Sequence, residues 1–254
     1  MRLFLASAEL SPGSVLGGES RHGGESTLGR ELARLAGPVA RIAIVLNPRD
    51  DDPGLVRPEA FARERESLGA VWTGAGRTGD VGTTAVPTSA APASAVRTPE
   101  VFELDLRLFD GRSAALSEAL AGAGLIWITG GNMLALGALM ASTGLDQVLA
   151  ARLAEDSIVY AGYSAGACVA GPRLTGAELT GRARDGDEPW WGGLELIDFS
   201  IVPHLPGPSE PENEYVRIAR QLEVRGLPYR ALRNGEAIVV AGGTSRVISD
   251  LPLG

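Results

Sequence analysis

A serine between two glycines is the residue of this chain best suited to nucleophilic chemistry. Ser164 lies between Gly162 and Gly166, after an apolar run at residues 157–160 and before small residues that can begin a helix. A strand, a sharp turn and a helix in this order are typical of a nucleophile elbow, which holds a hydroxyl above the end of a sheet. The glycines are needed because the turn leaves no room for side chains beside it. The pattern predicts a nucleophilic Ser164; the alternative is a glycine-rich turn with an incidental serine.

A pair of glycines follows another apolar run. Residues 125–128 lead into Gly130, Gly131 and Asn132. Glycines at the carboxyl end of a strand let backbone N–H groups face a ligand, and an acyl-transfer site needs such donors for its oxyanion. We therefore predict that the amides of Gly131 and Ala165 form an oxyanion hole, with Asn132 beside it as a substrate contact.

The chain has only two histidines, so a serine that needs imidazole activation has two candidate bases. His204 follows the apolar residues 199–202, and we expect it at the end of a strand, on the side of the parallel sheet where the serine turn opens. His22 lies in a glycine-rich stretch that looks like a loop. These positions favour His204 as the general base.

Together these segments resemble the peptidase E family of serine peptidases, which includes the aspartyl dipeptidases and the related cyanophycinases. Three motifs carry the resemblance: Thr129-Gly130-Gly131-Asn132, Gly162-Tyr163-Ser164-Ala165-Gly166-Ala167 and Val202-Pro203-His204. More weakly, the similarity extends from residues 1–6 to near the C-terminus. It implies a single α/β domain over residues 1–254, a flavodoxin-like three-layer sandwich with a mostly parallel sheet, as in class I glutamine amidotransferases but with serine in place of their cysteine. It also implies the same nucleophile, base and oxyanion donors.

The resemblance further implies an acidic third member of a catalytic triad. The family's register falls on Leu179, and Glu178 beside it is our choice to orient the imidazole and stabilise the imidazolium. The alternatives, in a nearby acidic stretch, are Asp185, Asp187 and Glu188.

Substrate preference is expected to depart from that of the aspartyl dipeptidases. In those enzymes an arginine on the helix after the histidine loop holds the substrate's aspartate, and the corresponding position here is Glu214. A glutamate would repel a substrate carboxylate rather than bind it. Arg217, one helical turn further on, could replace the arginine or could pair with Asn213 or Glu214 on the surface. A basic or neutral N-terminal residue is expected at least as readily as aspartate.

Composition limits the classes of function. A net charge of −8 argues against nucleic acid as a partner, and no apolar run is long enough to span a membrane. The single cysteine, Cys168, fits a reducing cytoplasm and a packing role. All 23 basic residues are arginines, which excludes a Ser-Lys dyad and a pyridoxal Schiff base. We expect no cofactor and no metal ion, a small peptide as the partner, and leave a homodimer open.

Strand-like and helical runs alternate along the chain, which indicates a parallel sheet with helices on both faces. The runs predict strands at 3–8, 40–46, 101–106 and 125–128, helices at 27–36, 58–68, 110–122, 133–140 and 145–155, and a hairpin at 236–240 and 245–249. The stretch between Thr73 and Pro99 is rich in small residues and proline, and we predict a mobile insertion there, either a disordered loop or a lid. Trp190, with a second tryptophan next to it, is predicted to wall the pocket; core packing and a subunit contact are the alternatives.

The sequence thus predicts a cytoplasmic serine peptidase that hydrolyses small peptides through an acyl-enzyme. The nearest variant is a cyanophycinase-like hydrolase of β-aspartyl-arginine linkages. Two alternatives belong to other classes. An esterase of the α/β-hydrolase type shares the serine turn, but no histidine follows His204 near the C-terminus. A catalytically silent binding module would keep the scaffold without the reaction.

Overall fold

The structure is a computed structural model, and it describes residues 1–10, 26–75, 98–172 and 192–251. Within these ranges, seven strands form one sheet with the order β3-β2-β4-β5-β1-β8-β9. Their bounds are β1 Arg2–Ala6, β2 Arg41–Val45, β3 Glu100–Glu103, β4 Ala123–Ile128, β5 Val159–Tyr163, β8 Glu236–Ala241 and β9 Thr244–Ser249. The strands from β3 to β1 pair in parallel, whereas β8 and β9 form an antiparallel hairpin at one edge.

Helices cover both faces of this sheet. The helices have the bounds α1 Thr27–Ala36, α2 Arg57–Ala75, α3 Ser113–Ala119, α4 Met133–Thr143, α5 Leu145–Ala154, α6 Ala165–Cys168 and α7 Glu214–Val224, and those that pack on this sheet are α1 to α6. Side chains of a strand alternate between the two faces, so β1 buries Leu3 and Leu5 in a core with α3 to α6, and Phe4 and Ala6 in a core with α1 and α2. This arrangement confirms the predicted α/β three-layer sandwich.

A second, smaller sheet carries the histidine. Strands β6 (Ser200–Leu205) and β7 (Tyr229–Arg233) pair in parallel with each other and stand apart from the large sheet. Helix α7 packs on this pair through a small core that includes Val202, Ile218 and Leu222. His204 does lie near the end of its strand, but the prediction that this strand belongs to the large parallel sheet is wrong.

Several element bounds differ from the predictions for local reasons. The strand predicted at 101–106 ends at Glu103, because the Asp105 side chain accepts a hydrogen bond from the Arg107 N–H and begins a short 3₁₀ helix at Leu106–Phe109. The helix predicted at 110–122 is shorter, since Gly111 and Gly122 adopt left-handed φ angles of 63° and 72° near its ends. Helix α2 continues to Ala75, through the first residues of the predicted insertion; residues 76–97 lie outside the described residues.

In the described ranges, no single helix is long and apolar enough to cross a membrane. Helices α4 and α5 reach the required length only together, and they bend by 80° at their junction.

Candidate active site

Ser164 occupies a strained turn between β5 and α6. Its φ is 49°, in the left-handed region that a residue with a side chain rarely adopts. A Cβ on Gly162 would lie 2.9 Å from the Gly166 carbonyl carbon, and one on Gly166 would lie 2.3 Å from the Ile128 oxygen. Both glycines are therefore required by close backbone contacts, as the sequence predicts for this turn.

The imidazole of His204 meets the hydroxyl of Ser164. The distance from His204 Nε2 to Ser164 Oγ is 2.9 Å, although the two residues are 40 positions apart in the chain. This distance lies within the range in which a base can accept a proton from a nucleophile. The structure thus brings together the two residues predicted as nucleophile and base.

The other ring nitrogen of His204 contacts an asparagine that the sequence analysis missed. His204 Nδ1 lies 2.7 Å from Oδ1 of Asn234, a residue in the turn between β7 and β8. An amide oxygen can only accept, so this contact requires the Nδ1–H tautomer and leaves a lone pair on Nε2 toward Ser164. The only sequence signal was the Asn234-Gly235 pair, which indicates a turn and nothing about a catalytic neighbour.

Glu178 and its alternatives Asp185, Asp187 and Glu188 lie outside the described residues, as do His22 and the predicted pocket wall Trp190. Among the described residues, Asn234 is the partner of Nδ1.

The glycine loop after β4 packs directly against Ser164. A Cβ on Gly130 would lie 3.0 Å from the Cβ of Ser164. Gly131 has a φ of 138°, and a Cβ there would lie 2.1 Å from the Pro48 carbonyl oxygen. Only glycine fits at Gly131, which lines the same cavity as Ser164, and its role as an oxyanion donor stays a prediction. Ala165 is the first residue of α6, where helix geometry offers the N–H no intrahelical acceptor.

The side chain of Asn132 is engaged in capping α4. Its Oδ1 accepts from the N–H groups of Leu134 and Ala135 at 3.1 and 3.2 Å, and its Nδ2 donates to Asp51 at 2.9 Å. These contacts give Asn132 a structural role beside the site, and its contact with substrate stays a prediction.

A cavity of about 660 Å³ opens next to Ser164 and His204. Besides the serine turn and the glycine loop, charged side chains of both signs line it: Glu9, Asp52, Glu64, Glu66, Arg49 and Arg63. Tyr215 of α7 also faces the cavity, and its ring centroid is 5.2 Å from that of His204. The predicted specificity residues Glu214 and Arg217 lie on the same helix but are not among the residues that line this cavity, so their role stays a prediction.

A buried carboxylate, that of Glu64, contacts the residue before Ser164 and a tryptophan of β4. Glu64 of α2 is 6% exposed and accepts from Trp127 Nε1 at 2.9 Å and from the Tyr163 hydroxyl at 2.8 Å. Burial raises the pKa of Glu64 above its ordinary value, although both hydrogen bonds act against that shift. Because Tyr163 directly precedes Ser164, this network connects α2 and β4 to the strand that ends at the predicted nucleophile.

Cys168, one turn after Ser164, is buried in the core, and burial raises the pKa of its thiol to about 12. A thiol that stays protonated is a poor nucleophile. This environment favours the predicted packing role of Cys168.

Comparison with known proteins agrees with this geometry. Residues 95–248 match the sequence profile described as Peptidase family S51. No curated protein shows significant sequence similarity to the chain. The crystal structure of a candidate peptidase E protein from Listeria monocytogenes EGD-e is similar with a TM-score of 0.63 and 18% identity, over 98% of each chain. A peptidase from an acI-B1 Actinobacterium is similar with a TM-score of 0.57 and 16% identity, over 98% of this chain and 87% of the other. At these identities the two structures show a shared fold.

Proposed function

Because the chain belongs to peptidase family S51 and is a serine-type peptidase, we propose that it hydrolyses small peptides of dipeptide size through an acyl-enzyme on Ser164. The observation that carries this proposal is the 2.9 Å contact between His204 Nε2 and Ser164 Oγ beside an open cavity. A cytoplasmic location, expected from the single cysteine, is part of the same proposal.

The proposed reaction begins with attack of Ser164 Oγ on the scissile carbonyl carbon while His204 Nε2 accepts the hydroxyl proton. The new C–O bond leaves a negative charge on the carbonyl oxygen, which the amides of Gly131 and Ala165 are proposed to bind. The imidazolium then protonates the leaving amine as the C–N bond breaks. A water molecule, deprotonated by the same imidazole, releases the acyl group and restores the serine.

Asn234 is proposed to take the orienting role in this reaction. Its Oδ1 holds the Nδ1–H tautomer, and only that tautomer presents a basic Nε2 to Ser164. Asn234 carries no charge, so it orients the ring but does not neutralise the imidazolium as a carboxylate would.

The charges around the cavity support a zwitterionic substrate. A free dipeptide has an ammonium and a carboxylate close together, and the cavity offers exposed side chains of both signs, such as Glu9 and Arg63. Since the lining contains more acidic than basic side chains, a basic or neutral N-terminal residue fits it better than an aspartate.

The test uses a serine-directed fluorophosphonate and a panel of dipeptides. The wild-type protein should gain the mass of one label on the peptide that contains Ser164, and it should release free amino acids from part of the panel. Ser164→Ala and His204→Ala should lower turnover by at least about a thousandfold. Ser142→Ala, the same substitution at an exposed serine of α4, serves as the matched control and should leave turnover unchanged.

Turnover retained in the Ser164→Ala variant would contradict the proposal, and so would a wild-type protein that neither reacts with the label nor cleaves any peptide. The latter result would favour the silent binding module. Release of β-aspartyl-arginine from cyanophycin, with no cleavage of the panel, would assign the cyanophycinase-like activity instead.

A further inference from the structure

The nucleophile and the base of the proposed reaction come from different sheets. Ser164 follows β5 of the seven-stranded sheet, whereas His204 lies in β6 of the two-stranded sheet. No ladder of backbone hydrogen bonds joins these two sheets in the described residues. Their 2.9 Å contact therefore depends on groups that bridge the sheets.

The carboxyl end of β1 provides such a bridge with two adjacent residues. The carbonyl oxygen of Ala6 accepts a hydrogen bond from the Ser164 N–H at 3.1 Å. The next residue, Ser7, accepts a hydrogen bond on its Oγ from the His204 N–H at 2.8 Å. One end of one strand thus holds the backbone amide of both the nucleophile and the base.

The hydroxyl of Ser7 is placed to hold more than the histidine amide. Ser7 is fully buried, and its Oγ lies 3.2 Å from the Leu232 carbonyl oxygen and 3.4 Å from Asn234 Oδ1. Its single hydrogen can donate to either of these oxygens while the lone pair accepts from His204. Ser7 therefore also connects β1 to β7 and to the asparagine that contacts the imidazole.

The backbone of His204 needs such support because its conformation is strained. Its φ is 57°, which costs free energy for a residue with a side chain. The register of β6 against β7 shifts between Val202 and Leu205, so the strand partner does not hold this position. On the carbonyl side, Asn213 Nδ2 donates to the His204 oxygen at 2.7 Å. Two side chains thus hold the two polar backbone groups of the base.

We propose that Ser7 and Asn213 are positioning residues that hold the His204 backbone, with Ser7 setting the distance between base and nucleophile across the two sheets. This inference builds on the proposed function but concerns residues outside the reacting groups. A misplacement of about 1 Å between reacting groups can lower a rate about 100-fold. We therefore expect the contacts of Ser7 and Asn213 with the His204 backbone to affect turnover more than substrate binding.

The kinetic test is the Ser7→Ala variant, with Thr143→Val as the control. Thr143 is also buried and also bonds a backbone oxygen through its hydroxyl, at 2.7 Å from Leu139, but it lies at the far end of α4. Ser7→Ala should lower both kcat and the rate of fluorophosphonate labelling about 100-fold, with KM changed less than about threefold. Thr143→Val should leave both rates unchanged, even if its melting temperature falls by as much as that of Ser7→Ala.

A second readout does not depend on activity. The His22→Gln substitution leaves His204 as the only histidine, so its ring nitrogens can be followed singly by ¹⁵N NMR. With Ser7 present, the Nδ1–H proton should be observable and slow to exchange, because Asn234 accepts it. In Ser7→Ala this signal should broaden or disappear, and both tautomers should be populated.

Asn213→Asp provides an independent variant in case Ser7→Ala does not fold. Aspartate keeps an oxygen for the N–H groups of Tyr215 and Val216, which Asn213 caps, but it loses the donor to the His204 oxygen. It should lower kcat and weaken the Nδ1–H signal in the same way.

The inference would be overturned by wild-type labelling together with a wild-type Nδ1–H signal in the folded Ser7→Ala variant. If Ser7→Ala is unfolded, the same result in Asn213→Asp would overturn it. A wild-type protein that neither reacts with the label nor cleaves any peptide would refute the proposed function, and the NMR comparison would still decide the role of Ser7.

Discussion

At the scale of single residues, Asn234 is a neutral group at the place where a catalytic triad has a carboxylate. It contacts His204 Nδ1 at 2.7 Å without bringing a charge. A carboxylate at the same place would both orient the ring and attract a proton onto it. The neutral amide separates these effects, because it fixes the tautomer but does not favour the imidazolium, which cannot act as a base.

We predict that Asn234→Asp moves the acidic limb of the pH profile of kcat/KM to higher pH by about one unit. The new charge favours the protonated ring, so the base is lost at a higher pH than in the wild-type protein. The plateau at higher pH should rise, since the carboxylate stabilises the imidazolium that forms during the reaction. Measurement of kcat/KM between pH 5 and 9, on the best substrate of the panel, tests both the position of the acidic limb and the height of the plateau.

Asn234→Ala is the matched control for this prediction. It removes the acceptor without adding a charge, so turnover should fall while the acidic limb keeps its position. If Asn234→Asp leaves the profile unmoved and Glu178→Ala abolishes turnover, the orienting residue is Glu178, as the sequence analysis predicted.

Residues whose roles follow from local pattern were predictable, and residues brought in by tertiary contacts were not. Ser164 and the glycines around it follow from the geometry of one turn, and His204 follows from the small number of histidines. Asn234 and Ser7 contact His204 from 30 and 197 positions away. No spacing rule reports such contacts, and Glu178 follows only from counting forward from Ser164 to the register that the resemblance implies.

At the scale of elements, a 3₁₀ helix at Asn47–Arg49, directly after β2, holds the glycine loop in place. Pro48 of this 3₁₀ helix accepts a hydrogen bond from the Asn132 N–H at 2.6 Å and lies against Gly131. Asn47, 1% exposed, fixes the 3₁₀ helix by donating to Asp105 at 3.0 Å and accepting from the Leu106 N–H at 2.9 Å. The predicted oxyanion donor therefore depends on a polar network that begins beyond β3.

Asp105 is the charged centre of that network, and its hydrogen bond from Arg107 holds the pKa of its carboxyl well below the ordinary value. A lowered pKa means that the ionised group stabilises the folded state above the ordinary value of 3.8, and that this contribution is lost as the pH falls through the folded-state pKa. We predict that Asp105→Asn lowers the free energy of unfolding at pH 7 by about 1 to 3 kcal/mol. The wild-type advantage should shrink as the pH falls below about 4.

Urea unfolding at pH 7 and at successively lower pH values measures both effects. Glu118→Gln, at an exposed position of α3, removes a carboxylate outside the network and should change the free energy of unfolding by less than about 0.5 kcal/mol. An Asp105→Asn variant as stable as the wild type at pH 7 would show that the network does not support the fold.

The large sheet was predictable because its strands are buried runs that alternate with amphipathic or apolar helices. The small sheet was not. Strand β7 buries only Leu232 among its five residues, and its partner β6 lies across helix α7 in the chain. A short strand with one buried position lacks the periodic pattern on which sequence prediction depends. The proposed base, His204, therefore lies on the part of the fold that the sequence describes least well.

At the scale of the whole molecule, the site lies where the large sheet, the small sheet and helix α2 meet. The cavity between them is lined by four acidic and two basic side chains, Glu9, Asp52, Glu64, Glu66, Arg49 and Arg63. Burial raises the pKa of Glu64, and its carboxylate accepts hydrogen bonds from Trp127 and Tyr163. The chain as a whole carries a net charge of −8. The local lining and the whole molecule thus have the same sign of excess charge.

We predict that this charge favours cationic peptides and that the preference depends on salt. A negative potential concentrates cations near the site and repels anions, and the Debye length falls from about 30 Å at 0.01 M to about 8 Å at 0.15 M ionic strength. For a dipeptide with an N-terminal arginine, kcat/KM should fall severalfold over this range. For its citrulline analogue kcat/KM should stay nearly constant, and for a dipeptide with an N-terminal aspartate it should rise.

Arg63→Gln should strengthen the preference for cationic peptides and Glu9→Gln should weaken it, because each removes one charge from the cavity wall. If the aspartyl peptide is the better substrate and loses kcat/KM as salt is added, the positive groups of the cavity outweigh the net charge. Glu214 would then not prevent recognition of a substrate carboxylate.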